Sequence, residues 1–307
     1  MRRWSFAKGH GTENDFVLLL DREGVLDLGE GEVRFLCDRH AGIGADGVLR
    51  VVLSSHVPEW VAIAERTGSS ADSHLWFMDY RNADGSIAEM CGNGVRVFAR
   101  YLLDEGLASG HTFEIATRAG VKPVSILPDG SIRVGMGRVA LTGADVHVTT
   151  ADGRGFAAVG ADVGNPHAVS FVHDAIELAR LPLWTAPRWT PAKAYPAGVN
   201  QEFVAVLGER HIAMRVFERG SGETRSCGTG TVAVAAAAHA RSGAADSDEP
   251  VVYRVDVPGG SVEVELADGQ AHLTGPAVIV AHGEIAVPNA GRHATAADGR
   301  RHTTLED

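Results

Sequence analysis

The chain has 307 residues, of which 45% are hydrophobic and 22% charged, as is ordinary for a globular protein long enough for two domains. Its formal net charge of −11, without a stripe of lysine and arginine, argues against a nucleic-acid binder. No apolar run approaches the roughly 18 residues that a membrane span needs. The start, MRRWSFAKGHGTEND, has no apolar segment typical of a secretory signal.

Three cysteines lie far apart, at Cys37, Cys91 and Cys227, and no two of them form a C-x-x-C pair. This number and spacing favour free thiols in a reducing cytoplasm over a disulfide framework or a zinc site. Cys37 lacks flanking glycines, so we expect it to be a core residue.

In the first half of the chain, alternating and apolar segments predict strands at 4–8, 16–20, 48–53 and 75–80. Residues 54–73 are typical of a hairpin with a long polar connection. At Cys91 the period changes: Val95, Phe98, Ala99 and Leu102 form a helical stripe, and Gly106 is placed as a helix stop. Short strands and turns are predicted from 112 to 137.

The second half repeats this order. Strands are predicted at 143–149, 155–162, 168–172, 203–207, 212–217, 251–257 and 261–266. At Cys227 another helix begins, and because 231–240 is apolar on nearly every face, we expect this helix to be buried. The tail, 289–307, has no periodicity and is predicted to be disordered.

The repeat of one short motif organises the whole chain. Residues 91–102 read CGNGVRVFARYL and residues 227–238 read CGTGTVAVAAAA, and each segment follows a strand and a polar loop. The two motifs are separated by about half the length of the chain. Two similar domains, each contributing one C-G-x-G helix start, are the simplest explanation.

A cysteine at a helix start lies against unpaired backbone N–H groups, which favour a thiolate. The glycines let a ligand approach the backbone, so the same N–H groups can hold a carboxylate. Two such thiols facing each other across a cleft could invert a carbon next to a carboxylate, one removing a proton and the other supplying one. This chemistry needs neither a metal nor a pyridoxal cofactor, and no strong motif for either is present.

Six blocks in order resemble the diaminopimelate epimerase family over most of the chain. They are GHGTENDFVLL (9–19), DRHAGIGADGVL (38–49), NADGSIAEMCGNGVRVFARYL (82–102), GNPHAVSFV (164–172), GVNQEFV (198–204) and ERGSGETRSCGTGTVAVA (218–235). The resemblance implies an α+β fold of two pseudo-symmetric domains, each a mixed sheet or barrel wrapped around a central helix. On this basis residues 1–128 with about 277–288 are expected to form one domain, and 129–276 the other.

The resemblance also implies a function and a set of site residues. The reaction would interconvert L,L- and meso-diaminopimelate, on the route to lysine and peptidoglycan, in a cytoplasmic enzyme without cofactor, and a homodimer is suggested. Cys91 and Cys227 would be base and acid, with His167 expected beside Cys91 and Glu218 beside Cys227. The substrate contacts would come from Asn14, Asn82, Asn165, Asn200, Glu218 and Arg219, and from the backbone of Gly92, Asn93, Gly228 and Thr229.

Other interpretations fit less of the sequence. GIGADG at 42–47 matches a dinucleotide-binding fingerprint, but it precedes a strand instead of a helix. A proline racemase-like or phenazine-biosynthesis isomerase-like enzyme would share the fold, and the asparagine-rich loops and GNPH favour diaminopimelate. A dithiol redox or binding protein is the non-enzymatic alternative. One departure from the family is Gly47, where some members have a glutamine.

Overall fold

The computed structural model describes residues 2–243 and 249–288; the predicted disordered tail lies outside them. The helices are α1 (Glu30–Cys37), α2 (Trp60–Thr67), α3 (Gly92–Asp104), α4 (Ala175–Ala179) and α5 (Gly228–Arg241). The strands are β1 (Arg2–Gly11), β2 (Asn14–Asp21), β3 (Gly47–Leu53), β4 (Trp76–Asn82), β5 (Thr112–Thr117), β6 (Gly120–Ile126), β7 (Ile132–Arg138), β8 (Ala140–Thr149), β9 (Gly155–Asp162), β10 (Pro166–Phe171), β11 (Arg188–Thr190), β12 (Asn200–Gly208), β13 (His211–Glu218), β14 (Gly222–Thr224), β15 (Val251–Val257), β16 (Gly260–Ala267), β17 (Gln270–Gly275) and β18 (Val278–Val287).

The two halves of the chain share one strand arrangement. In the first, β2 runs parallel to β3 with Phe16 opposite Gly47, and β3 is antiparallel to β4. In the second, β10 runs parallel to β12 with His167 opposite Asn200, and β12 is antiparallel to β13. The architecture is therefore α+β, with two pseudo-symmetric domains, each a mixed sheet around a central helix.

The central helices are α3 and α5. Helix α3 packs on β1, β2 and β7, and α5 packs on β9, β10, β12 and β16. In α5 every residue from Gly228 to Ala238 is buried, which confirms the prediction from its uniformly apolar sequence. The cores around the two helices form one continuous apolar cluster. The two central helices consequently belong to one packed core.

Residues 54–73 do not form the predicted hairpin. They contain a short 3₁₀ turn, Ser54–His56, and helix α2. Trp60, Ile63 and Ala64 are buried, and their spacing of three and four residues places them on one face of a helix. The hairpin prediction was wrong, because this short apolar stripe, flanked by polar residues, forms a helix.

Cys37 is a core residue, as predicted. It ends α1 and is buried with Trp4, Val33 and Leu36 in a small apolar cluster. Burial raises the pKa of Cys37 to about 12, as expected for a structural thiol. None of the helices in the described ranges is long and apolar enough to cross a membrane.

Candidate active site

Cys91 and Cys227 cap the two central helices. Each is the residue immediately before its helix, in extended conformation, and each sulfur accepts a hydrogen bond from the backbone N–H three residues later. The sulfur–nitrogen distances are 3.4 Å to Gly94 and 3.4 Å to Gly230. All three cysteines of the chain are free thiols.

The first turns of the two helices touch. A Cβ atom added to Gly228 would lie 3.0 Å from the backbone nitrogen of Asn93 and 3.0 Å from the Cα of Gly92. Such a contact would be tighter than nine in ten real Cβ contacts, and a larger residue would have to push the backbone of α3 away by a few tenths of an ångström. The glycine after Cys227 thus lets two positive helix ends meet in one place.

A network of buried polar side chains joins the two helix starts on the Cys91 side. The thiol of Cys91 donates to Asn14 Oδ1 at 3.7 Å. The amide nitrogen of Asn93 lies 3.2 Å from the same oxygen and 3.1 Å from the carbonyl oxygen of Ser226. Thr12 Oγ1 donates to Ser226 Oγ at 2.7 Å. The residue before Cys227 is therefore tied to the domain that carries Cys91.

Glu218 and Thr229 surround the thiol of Cys227. The sulfur lies 3.5 Å from Thr229 Oγ1, and a hydrogen bond also joins Cys227 to the carboxyl group of Glu218. The hydroxyl of Thr224 donates to the same carboxyl group. Loss of solvent raises the pKa of Glu218, although both hydrogen bonds lower it. A carboxyl group with a raised pKa is suited to exchange a proton with a neighbouring thiol.

His167 is fully buried and lies at the end of a hydrogen-bond chain that begins at Cys227. Its Nδ1 is 2.7 Å from Glu202 Oε1, and its Nε2 is 2.9 Å from Asn165 Oδ1. The amide nitrogen of Asn165 in turn donates to Thr229 Oγ1 at 3.4 Å. Within the described ranges no hydrogen bond joins His167 to Cys91, beside which it was expected.

Neither thiol has the lowered pKa that a helix start suggests. Burial raises the pKa of Cys91 to about 12, although the backbone N–H of Gly94 lowers it. Burial, followed by the charge of Glu218, raises the pKa of Cys227 well above its ordinary value. Desolvation outweighs the helix N-terminus at both places. Forming either thiolate therefore requires a neighbouring group that takes the proton or balances the negative charge of the sulfur.

Both cysteines line one cleft of about 1760 Å³. Most of the expected site residues line it too: Asn14, Asn82, Gly92, Asn165, Asn200, Glu218, Arg219, Gly228 and Thr229. Asn93 and His167 lie behind this surface. Asn200 Oδ1 accepts from the backbone N–H of Arg219 at 2.9 Å, and Asn82 donates to Ser86 Oγ at 3.0 Å. The expected side chains are thus gathered around one opening.

Sequence reasoning missed several other residues around the two helix starts. Asp46 Oδ2 accepts from the amide of Asn14 at 2.8 Å and so orients the group that contacts Cys91. Tyr80 lines the cleft. Ser226, Glu202 and Arg96 are buried polar residues whose partners lie far away in sequence. Only their position next to the C-G-x-G and asparagine motifs could have drawn attention to them.

Two thiols at touching helix starts, with a carboxyl group and an imidazole close by, are suited to two-base proton transfer. The model of the diaminopimelate epimerase family matches residues 6–142 and 159–283. The diaminopimelate epimerase of Streptomyces coelicolor is 53% identical over 285 residues, covering 92% of this chain and 95% of that protein. That of Corynebacterium glutamicum is 49% identical over 290 residues, covering 92% and 98%. The chain belongs to the diaminopimelate epimerase family.

Solved structures with low sequence identity share the fold. A phenazine biosynthesis protein of the PhzF family from Bacillus anthracis superimposes with a TM-score of 0.67 at 17% identity, covering 94% of this chain and 100% of that one. A hydroxyproline epimerase from Agrobacterium vitis gives a TM-score of 0.64 at 16% identity, covering 92% of each chain. The fold class expected from the sequence is therefore confirmed.

Proposed function

We propose that this chain is a cofactor-independent epimerase that interconverts L,L- and meso-diaminopimelate at one α-carbon. The observation that carries the proposal is the contact between two cysteine-capped helix starts that open into one cleft. Membership of the family supports the substrate, an α-amino acid with a second carboxylate and a second ammonium group.

The reaction follows from two thiols on opposite faces of one carbon. The thiolate of one cysteine takes the α-proton, and the electron pair of the broken C–H bond passes into the adjacent carboxylate. The thiol of the other cysteine then gives its proton to the opposite face of the carbon. Cys91 and Cys227 exchange roles when the direction is reversed, so each turnover leaves the proton on the other sulfur.

The helix starts stabilise the charge that develops. The first N–H groups of a helix have no partner inside it, and those of Gly92, Asn93, Gly228 and Thr229 meet where the two helices touch. A substrate carboxylate held there gains hydrogen bonds as it takes up the electron pair, and such preorganised donors favour the transition state.

Glu218 assists Cys227 as a proton acceptor, and His167 holds the groups around the same thiol in place. Glu218 contacts Cys227 directly. His167 is linked to the same thiol by hydrogen bonds through Asn165 and Thr229. Since both thiols are weak acids in this cleft, a neighbouring base is needed to form a thiolate near neutral pH.

The rest of the cleft holds the substrate away from the reacting carbon. Asn14, Asn82, Asn165 and Asn200 supply amide donors and acceptors for the ammonium and carboxylate groups. Arg219 is exposed at the opening, and its guanidinium is suited to pair with the distal carboxylate. A monocarboxylic amino acid would leave this arginine without its partner.

The domain boundaries belong to the same proposal: residues 1–128 with 277–288 form one domain, and 129–276 the other. The pairing of β18 with β1 supports the return of the chain to the first domain. Free thiols support a reducing cytoplasm. The suggested homodimer would be tested by analytical ultracentrifugation.

The decisive experiment uses L,L-diaminopimelate in heavy water under reducing conditions. The meso isomer should appear with deuterium at the inverted carbon, without added metal or pyridoxal phosphate. Cys91→Ala and Cys227→Ala should each abolish the isomerisation. Cys37→Ala is the matched control in the core, and the folded variant should retain the isomerisation.

Activity that survives either of the first two substitutions would refute the two-thiol mechanism. Proline is the discriminating substrate, because it has no distal carboxylate to pair with Arg219. Turnover of proline, with none of diaminopimelate, would move the assignment to the racemase class.

A further inference from the structure

The pseudo-symmetry of the two domains is broken on the strands that contact helices α3 and α5. Phe16 and His167 occupy equivalent positions, since they lie opposite Gly47 and Asn200, the first residues of β3 and β12. Two residues further along those strands are Leu49 and Glu202. The domain of Cys91 therefore has an apolar pair where the domain of Cys227 has a hydrogen-bonded imidazole and carboxyl group.

Glu202 lies next to the start of helix α5. Its Oε1 is 2.9 Å, and the sulfur of Cys227 is 3.3 Å, from the point that a Cβ on Gly230 would occupy. The carboxyl group and the thiol are thus no more than about 6 Å apart. Glu202 is fully buried, and its Oε2 has no hydrogen-bond partner among the described residues. At the equivalent place near Gly94 the neighbour is a methyl group of Leu49, at 3.5 Å.

A buried charge of the opposite sign lies in the helix of Cys91. Arg96 comes five residues after Cys91, and the equivalent residue after Cys227 is Val232. Arg96 is completely buried, and within the described ranges its Nη1 has no hydrogen-bond partner. Its recorded hydrogen bonds go to neutral oxygens, Thr12 Oγ1 at 3.3 Å and the Pro276 carbonyl at 3.4 Å. A buried cation paired only with neutral groups stabilises negative charge nearby.

We propose that Arg96 and Glu202 are positioning residues that make the two thiols unequal, so that Cys91 ionises first and Cys227 holds its proton. Arg96 favours a thiolate at Cys91, and Glu202 disfavours one at Cys227. The inference rests on the proposed function, because it describes how a nearly symmetric two-base site selects its starting protonation state.

The other ionisable groups around the thiols do not remove this difference. Glu218 raises the pKa of both cysteines, after the larger effect of burial. Tyr80 faces both thiols, and burial raises its own pKa well above the usual value, so it stays neutral. Arg96 lowers the pKa of Cys91, and Glu202 raises that of Cys227.

Glu202 also shares a hydrogen bond with His167, whose other ring nitrogen lies 2.9 Å from Asn165 Oδ1. The experiment therefore follows the effect of this buried pair through the reactivity of Cys227 itself.

The test is the alkylation rate of each cysteine by iodoacetamide across neutral and alkaline pH, followed by peptide mass spectrometry. Cys91 is the more exposed of the two thiols, so each thiol is compared only with itself in the variants. Glu202→Gln should alkylate Cys227 about tenfold faster at a given pH, the change that one pKa unit produces. Arg96→Met should alkylate Cys91 about tenfold more slowly. Arg96→Lys, which retains the charge, should restore the Cys91 rate.

Arg100→Met is the matched control, because it removes a positive charge from the same helix at a place where the side chain pairs with Asp104. It should change neither rate. Unchanged rates in Glu202→Gln and Arg96→Met, or equal changes at both thiols, would overturn the proposal. If Arg96→Met does not fold, an unchanged Cys227 rate in the isosteric Glu202→Gln overturns it alone. Alkylation needs no diaminopimelate, so a failed epimerase assay and a failed asymmetry test are separate results.

Discussion

Replacing Gly228 by alanine would test the contact between the two helix starts. The new methyl group would lie 3.0 Å from two backbone atoms of helix α3, and backbone cannot rotate away as a side chain can. Overpacking of this kind costs about 1–3 kcal/mol, and the better helix propensity of alanine offsets at most about 1 kcal/mol. With the full offset, we expect the free energy of unfolding to fall by up to about 2 kcal/mol.

Turnover should fall together with stability. A displacement of about 1 Å at a catalytic group costs roughly a hundredfold in rate, so a few tenths of an ångström should lower kcat about tenfold. The assay is urea unfolding together with kcat and KM for epimerisation. Gly31→Ala is the control, because nothing lies within 4 Å of its added methyl group. If both variants kept wild-type stability and turnover, the contact between the helices would be refuted.

Two further perturbations test the fold around the site. Burial raises the pKa of Asp15, but hydrogen bonds from Arg39 and Lys8 outweigh this effect and bring the pKa to about 2. Because this folded pKa is below the unfolded one, ionised Asp15 stabilises the fold. That stabilisation is complete above about pH 4 and is lost as the pH falls towards 2. Urea unfolding of Asp15→Asn should therefore lack about 2 kcal/mol of the acid-dependent loss seen in the wild type, and an identical acid profile would contradict this. Phe98→Ala, which empties a fully buried site on α3, should lower the free energy of unfolding by about 3–5 kcal/mol, and a loss below about 1 kcal/mol would show that this core is not closely packed.

The sequence was sufficient wherever local patterns decide the structure. The stripe of Val95, Phe98 and Leu102 predicted α3, because a helical period of 3.6 residues is visible in any window of that length. The uniformly apolar run after Cys227 predicted a buried helix for the same reason. The repeated C-G-x-G motif predicted two domains with one helix start each.

A short helix with a single buried face was beyond the same reasoning. Helix α2 has eight residues, and only three of them, Trp60, Ile63 and Ala64, carry its buried face. So few apolar positions do not separate a helical period from a strand period. Packing against the sheet decides the outcome instead of intrinsic propensity.

The chain alone determined that two cysteines begin two helices in two similar domains. Only the tertiary structure decided that these helices touch at Gly228 and that burial leaves both thiols weakly acidic. It also decided that Glu202 lies within about 6 Å of the Cys227 thiol and that Arg96 is buried in the helix of Cys91. The physical reason is that sequence patterns report a residue's immediate neighbours along the chain. Desolvation, close approach and charge depend on groups brought together from distant parts of it.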